Sequence, residues 1–566
     1  MKKDFRVLLC LVVAALLAVS CSENVKMKNL LEQVPANADI VLVGNVKTVI
    51  ESAGGSIENS KIKLPSNLMD ALPASSMGAV DEANDFLKKA GIDMETCALF
   101  FNYEENHPVL VFALSDRKQF IDAIEDNGFK EKDTEGNTVY YVKKVYEDTY
   151  NPDYDDYGYI AVNDSYAYWI ERVWVGRDFL TPIRYLQKKV EDAREKSYAS
   201  TNYADYITEG NAGGVAVAWP KELKRELRRS GMPSDMLAIY DGVICMRGKL
   251  SSNECTVEAK LFDEDGKEIG ADVAGKFMDV SATISGKALS MLGEDEFMVY
   301  AMSMKHFNWD KYADALSDAS GLSRSDRAQM NAILSYFEKI DGTVALGFGL
   351  TNGLESIENM DRSRDVMSQF STTTVIETKE GKTRQLVEDM KGFLEQARIP
   401  FNESGSGFSM SLRSLRDTGM SGEWYVKAVD NFLVVANHPI KENNNNALIK
   451  STDLTDYLFA FCIGLNKQDR LMRDLGVNND VKLTMGCKPK TLESAMTLEI
   501  DGDRSTGVIA KAIKIALGIA ANAEELERRL SGRRNYVPEP DYYYDEEVEE
   551  VVVEEEYGDS VAYYDY

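Results

Sequence analysis

The chain has 566 residues, a formal net charge of −29 and an ordinary apolar content of 44%. That length supports more than one core. That charge disfavours nucleic acid, whose phosphates need Lys and Arg, and it opposes broad adhesion to anionic lipid.

Lys2, Lys3 and Arg6 precede an apolar run from Val7 to Val19. Residues 1–20 therefore read as an export signal, too short for a convincing spanning helix. The run ends in "LAVSC", which resembles the lipobox of bacterial lipoproteins, with Ala18 where Leu is commonest. The resemblance implies a diacylglycerol on the Cys21 sulfur, cleavage just before it, and an acylated new N-terminus. Several acyl chains make such anchoring stable. Residues 21–34 are then a lipidated tether, and the polar stretch "SENVKMKNLLEQ" keeps the first domain within about 35 Å of the membrane.

From Pro35 the chain repeats itself. "ADIVLVGNVK" (38–47) parallels "EFMVYAMSMK" (296–305), and "ETCALFF" (95–101) parallels "GTVALGF" (342–348). "HPVLVFALSDRKQFIDAIEDNGF" (107–129) parallels "STTTVIETKEGKTRQLVEDMKGFL" (371–394), each a strand, a polar break and an amphipathic helix. Ser115 or Asp116 caps the first helix, Phe120, Ile121 and Ile124 face one side, and Gly128 stops it. Leu386, Met390 and Phe393 mark the stripe of the second. "AVND" and "AVDN" sit at the turns of matching hairpins, 159–170 and 424–436, where Asn and Asp tolerate a left-handed backbone. Downstream, 213–232 parallels 457–477, and 254–266 parallels 493–503.

One order kept throughout predicts two homologous halves. The expected fold is α+β: two tandem lobes, 35–288 and 289–532, each a mainly antiparallel sheet with helices packed on one face. The helix pattern over 505–530 is expected to pack on the second lobe. Residues 533–566 read as a disordered acidic tail. From Asn535 onward it holds twelve acidic residues and eight tyrosines, with no Lys or Arg.

The lipobox, the "P-x-x-A-D-x-V" opening (Pro35, Ala38, Asp39, Val41) and the duplicated pattern resemble an uncharacterised lipoprotein family of Bacteroidetes, domain of unknown function 4836. The resemblance covers nearly all of the mature chain except the tail. It implies a cell-envelope location and transfers no activity and no site residues.

Residues that could carry chemistry are sparse. Cys97, Cys245, Cys255, Cys462 and Cys487 show no CxxC spacing and read as small core residues. Cys245 and Cys255 lie at unequal offsets from the turn at 251–253, so they should not face each other. His107, His306 and His438 form no metal-type pair. "DEDG" (263–266) and "DGDR" (501–504) lack an EF-hand series and read as turns. "KELKRELRR" (221–229) reads as a solvated helix face. No catalytic residue, metal or cofactor is assigned.

Two stretches are candidates for binding. Tyr154, Asp155, Asp156 and Tyr157 lie in an acidic, tyrosine-rich insertion that repeat two lacks, suited to stacking on a sugar or holding a cation. Tyr542, Tyr543, Tyr544 and Tyr557 would anchor the tail on a basic partner. The expected function is a non-enzymatic, lipid-anchored binding or scaffolding module of the outer membrane, with its face open. Its partners would be the membrane, through the N-terminal lipid, and a protein or glycan of the envelope. The alternative is an envelope-polymer hydrolase using dispersed Asp and Glu residues. A cleft holding carboxylates with raised pKa would favour the enzyme, and a flat exposed apolar patch the binder.

Overall fold

The computed structural model describes residues 24–58, 61–65, 83–103, 107–146, 156–174, 181–229, 237–311, 334–353, 356, 366–411, 422–442 and 445–531. The expected signal peptide, Cys21 and the expected acidic tail lie outside them.

In the first half the strands are β1 (Ile40–Asn45), the small hairpin β2 (Ser56–Glu58) and β3 (Lys61–Lys63), β4 (Ile92–Phe101), β5 (Val109–Leu114), β6 (Lys130–Glu135), β7 (Thr138–Tyr146), β8 (Asp156–Val162), β9 (Tyr166–Trp174), β10 (Gly213–Ala218), β11 (Val243–Leu250) and β12 (Glu254–Phe262). The second half has β13 (Met298–Ser303), β14 (Ile340–Leu350), β15 (Phe370–Thr378), β16 (Asn402–Ser404), β17 (Gly407–Ser411), β18 (Glu423–Val429), β19 (Phe432–Ala436), β20 (Phe459–Leu465), β21 (Val481–Cys487) and β22 (Ser494–Ile500). The helices used below are α1 (Asn24–Leu31), α2 (Val46–Ser52), α3 (Arg117–Asp126), α4 (Thr181–Glu195), α5 (Ala204–Glu209), α6 (Lys221–Arg229), α7 (Gly286–Leu289), α8 (Lys382–Gln396), α9 (Ala447–Ser451) and α10 (Val508–Ser531).

Twenty strands form one antiparallel sheet. By pairing, the first ten run β6-β7-β8-β9-β5-β4-β1-β10-β11-β12. The next ten run β22-β21-β20-β13-β14-β15-β19-β18-β17-β16. The two runs are joined by β12 against β22, so the halves are not separate sheets as expected from sequence. At that junction Thr256 pairs with Thr497, their hydroxyl oxygens 3.1 Å apart. β6, at one end of the order, exposes all six of its residues, "KEKDTE". Such a charged edge resists pairing with a further strand.

Helices cover parts of both faces, where the sequence predicted cover on one. On the inner face, Val43, Ala98, Phe100 and Val109 pack with Met27, Leu30 and Leu31 of α1 and with Leu186 and Ile207 of α4 and α5. On the outer face, Cys97, Phe112 and Ala167 pack with Phe120 and Ile124 of α3 and with Leu87 and Ala90. The second half does the same. Val299, Ala301 and Ala345 meet α7 and Leu448 of α9 inside, and Phe408, Val426 and Leu433 meet Leu386, Val387 and Leu394 of α8 outside. The cause is composition. "CALFF" and "VLVFAL" are apolar at both parities, so both faces need cover.

α1 corrects the tether expectation. Met27, Leu30, Leu31 and Val34 are at most 1% exposed, so one face of this segment belongs to the core. α7 crosses the predicted boundary at 288/289 and packs in the second half. Phe393 is 67% exposed, and Leu394 takes its place in the buried stripe, because 386, 387, 390 and 394 share one helical face. Asp116 caps α3 by accepting from Gln119 N at 3.0 Å, and Asp430 adopts φ 51° at the β18–β19 turn. α6 has no buried residue. α10 packs Val508 with Val49, Ala212, Leu250 and Ile500, residues of both halves rather than of the second alone. Lys511, 5% exposed, directs its ammonium to the Ser252 carbonyl (3.1 Å) and to Asn253. No described helix is long and apolar enough to cross a membrane.

Candidate functional site

Of the predicted loop residues, Tyr154 and Asp155 lie outside the described residues. Asp156 and Tyr157 are strand residues that open β8, paired with Tyr146 and Lys144 of β7. Asp156 is buried, and Tyr157 packs against the inner core. Tyr542, Tyr543, Tyr544 and Tyr557 lie outside the described residues, as does Cys21.

The cysteines are free thiols in or near the sheet. In the β11–β12 hairpin Cys245 pairs with Lys260 and Cys255 with Leu250, so the two thiols do not meet. Burial pushes Cys97 and Cys245 up to about 12, far from a reactive thiolate. "DEDG" closes a turn in which Asp263 accepts from the Lys267 amide at 2.8 Å.

The three histidines stay apart. His107 lies against the Tyr185 ring and His306 beside Asp341. His438 has the more informative surroundings. Its Nε2 is 3.0 Å from Thr373 Oγ1 and 3.7 Å from Oε1 of the buried Glu296, while Nδ1 is 3.3 Å from the Pro439 carbonyl. The Glu296 carboxylate raises the imidazole above its ordinary pKa, against the opposing effect of burial. A hydroxyl–imidazole–carboxylate relay uses opposite ring nitrogens. Here hydroxyl and carboxylate share one, so the arrangement is not a nucleophile triad.

What the fold does assemble, among the described residues, is an open apolar stretch of sheet. Direct cross-strand partners share a face. One row on the outer face runs Leu346, Tyr300, Phe461, Met485, Met496, crossing β14, β13, β20, β21 and β22. Leu346 is 45% exposed, Tyr300 38%, Met485 40% and Met496 42%. The neighbouring row, Val344, Met302, Phe459, Cys487 and Ser494, also carries no charge. At ~4.8 Å between strands the five span about 19 Å. Helices cover other parts of this outer face: α3 and residues 83–90 in the first half, α8 in the second, and α10 over Leu250, Leu498 and Ile500 at the junction.

At one end of these strands lies a cleft of about 790 Å³. Its apolar wall includes Phe297, Leu465, Val481 and Ile500, and its acidic wall Glu254, Glu294, Asp295, Asp480 and Asp501. Burial alone would raise Asp501, but hydrogen bonds led by that from Lys467 (2.6 Å) hold it below the usual carboxylate range. Among the described carboxyls, Glu58, Glu258, Asp279, Asp430 and Asp503 are also shifted down. No cluster of three or more metal-type side chains occurs among the described residues.

The band was not singled out in the sequence, although a signal existed. "MVYAMS" and "FAFCIGL" are apolar at both parities, whereas one buried face needs only alternation.

Fold and site together define an α+β protein built on one continuous antiparallel sheet, with an open apolar face beside an acidic cleft. No family model, curated protein or solved structure matches the chain.

Proposed function

We propose that the protein is a duplicated, lipid-anchored module of the cell envelope that binds another polypeptide without catalysing a reaction. The observation that carries this reading is the row Leu346–Tyr300–Phe461–Met485–Met496, exposed at all but Phe461. A monomer rarely leaves such a contiguous apolar strip open to water. The mirrored strand order of the two runs supports duplication into two homologous lobes, and the "LAVSC" motif and the family resemblance support the anchor and an outer-membrane location.

The occupant is an amphipathic helix of a partner protein, with basic residues flanking its apolar stripe. Helices cover the same face on either side of the band, and a helix about 10–12 Å across fits a floor about 19 Å wide. Methionine side chains adapt to such a surface. The acidic cleft at the strand ends, in a chain of net charge −29, complements the basic flank. The hydrolase reading is weaker, because the shifted carboxyls near the cleft go down and not up.

The test is a titration of the full chain with a Leu/Lys peptide of about 18 residues carrying Leu at i, i+3, i+4 and i+7. A scrambled peptide of equal charge and the variant Tyr300→Asp/Met485→Asp serve as controls. Binding to the first peptide, weakened about tenfold or more by scrambling and by the double substitution, supports the proposal. Equal binding in all cases contradicts it, as does binding of lipid vesicles through the band in place of the peptide.

A further inference from the structure

From α1 we infer that the folded core sits directly against the lipid surface, with the first turn of α1 at the interface. The inference rests on lipidation of Cys21, proposed above. The first helical residue is Asn24, and Met27 is already fully buried. Only Ser22 and Glu23 separate the lipid-bearing Cys21 from the helix, three residue steps from Cys21 to Asn24. Three extended residues reach about 10 Å, against about 35 Å for a tether running to Pro35.

The helix cannot lend its length to the tether without leaving the core. Met27, Leu30 and Leu31 fill the inner face against Val41, Val43 and Ala98. Polar contacts fix it as well: Lys26 to Asp93 (3.1 Å) and to Glu95, and Lys28 to Asp205. Withdrawing three buried apolar side chains into water costs more than a slack tether returns in entropy.

A second observation points to lipid. Val25, on the first turn, is 72% exposed, the most exposed large apolar side chain among the described residues. It lies four residues beyond Cys21, where an interfacial apolar contact costs nothing. Lys26 offsets only one of the two charges of Asp93 and Glu95, so the contact at this end of α1 is the apolar one through Val25. The membrane-facing residue is therefore Val25, on the first turn of α1.

The experiment uses the full lipidated chain in phosphatidylethanolamine/phosphatidylglycerol vesicles, with a photoreactive residue at position 25 or, as a distant control, at the exposed Glu403. Mass spectrometry reads the lipid on Cys21 independently. The expected result is phospholipid cross-linking at 25, little at 403, and a several-fold loss at 25 when about ten Gly/Ser residues are inserted between Glu23 and Asn24. A lipidated protein that cross-links equally at both positions, or is indifferent to the insertion, overturns the short-tether inference alone. Absence of lipid mass on Cys21 overturns the anchor, and this inference with it.

Discussion

Arg247 on β11 and Glu493 just before β22 meet at 3.3 Å, although 246 residues separate them in the chain. The guanidinium also donates to Glu258 at 2.7 Å, contacts Glu209, and stacks 4.4 Å over the Tyr206 ring. Tyr206 in turn donates to Glu493 at 3.3 Å. Burial alone would depress the arginine, but the carboxylates hold its pKa up; burial alone would raise Glu258, but hydrogen bonds from Lys249 and Arg247 hold it down. This network locks the two runs of strands together beside the β12–β22 ladder.

Removing Arg247 leaves Glu258 and Glu493, 10% and 12% exposed, short of a partner. Breaking one side of such a pair costs about 3 kcal/mol. Arg247→Met is expected to lower stability by about that much in denaturant unfolding. Native-state hydrogen exchange should show β12 and β22 amides exchanging faster than those of β4 and β5. Uniform destabilisation without that pattern would separate the network from the junction.

Leu31→Ala tests whether α1 is core. A linker residue tolerates the change within about 0.5 kcal/mol, whereas a buried leucine costs roughly 2–5 kcal/mol. The larger value is expected in thermal or denaturant unfolding.

His438 gives a pH signature. Its folded pKa is raised by Glu296, so the pair's stabilisation is fully present below the unfolded value of about 6.5 and is lost as pH rises through the folded value. His438→Gln is therefore expected to destabilise more at about pH 5.5 than at about pH 8.5. Equal loss at both pH values in thermal melts would contradict the ion pair.

Gly347 makes room for the same carboxylate: a Cβ there would collide with Glu296 Oε2. Gly293 N donates to that oxygen at 2.7 Å. Gly347→Ala is expected to cost about 1–3 kcal/mol, and to shrink the pH-dependent part of the His438→Gln effect by displacing Glu296.

Local chemistry was legible in the sequence. The Asp116 cap and the left-handed Asp430 turn follow from short-range preferences that the fold leaves intact. The signal for α1 was also present, since Met27, Leu30, Leu31 and Val34 fall at i, i+3, i+4 and i+7, but the polar residues between them suggested a linker. Phe393 is apolar yet lies off the helical phase of Leu386, Val387 and Leu394, so apolar identity alone does not place it in the stripe. The β12–β22 pairing was not legible, because nothing local selects a partner 240 residues away. Nor was the open band: alternation tells which residues share a face, not whether another element covers them.

The most direct measurement is hydroxyl-radical footprinting of the full chain, with and without a saturating amphipathic Leu/Lys peptide. Tyr300, Leu346, Met485 and Met496 are expected to lose reactivity together, while Phe393 and Val25, more open still at 67% and 72% exposed, keep theirs. Unchanged labelling of the four band residues in the presence of bound peptide would contradict a binding role for this face.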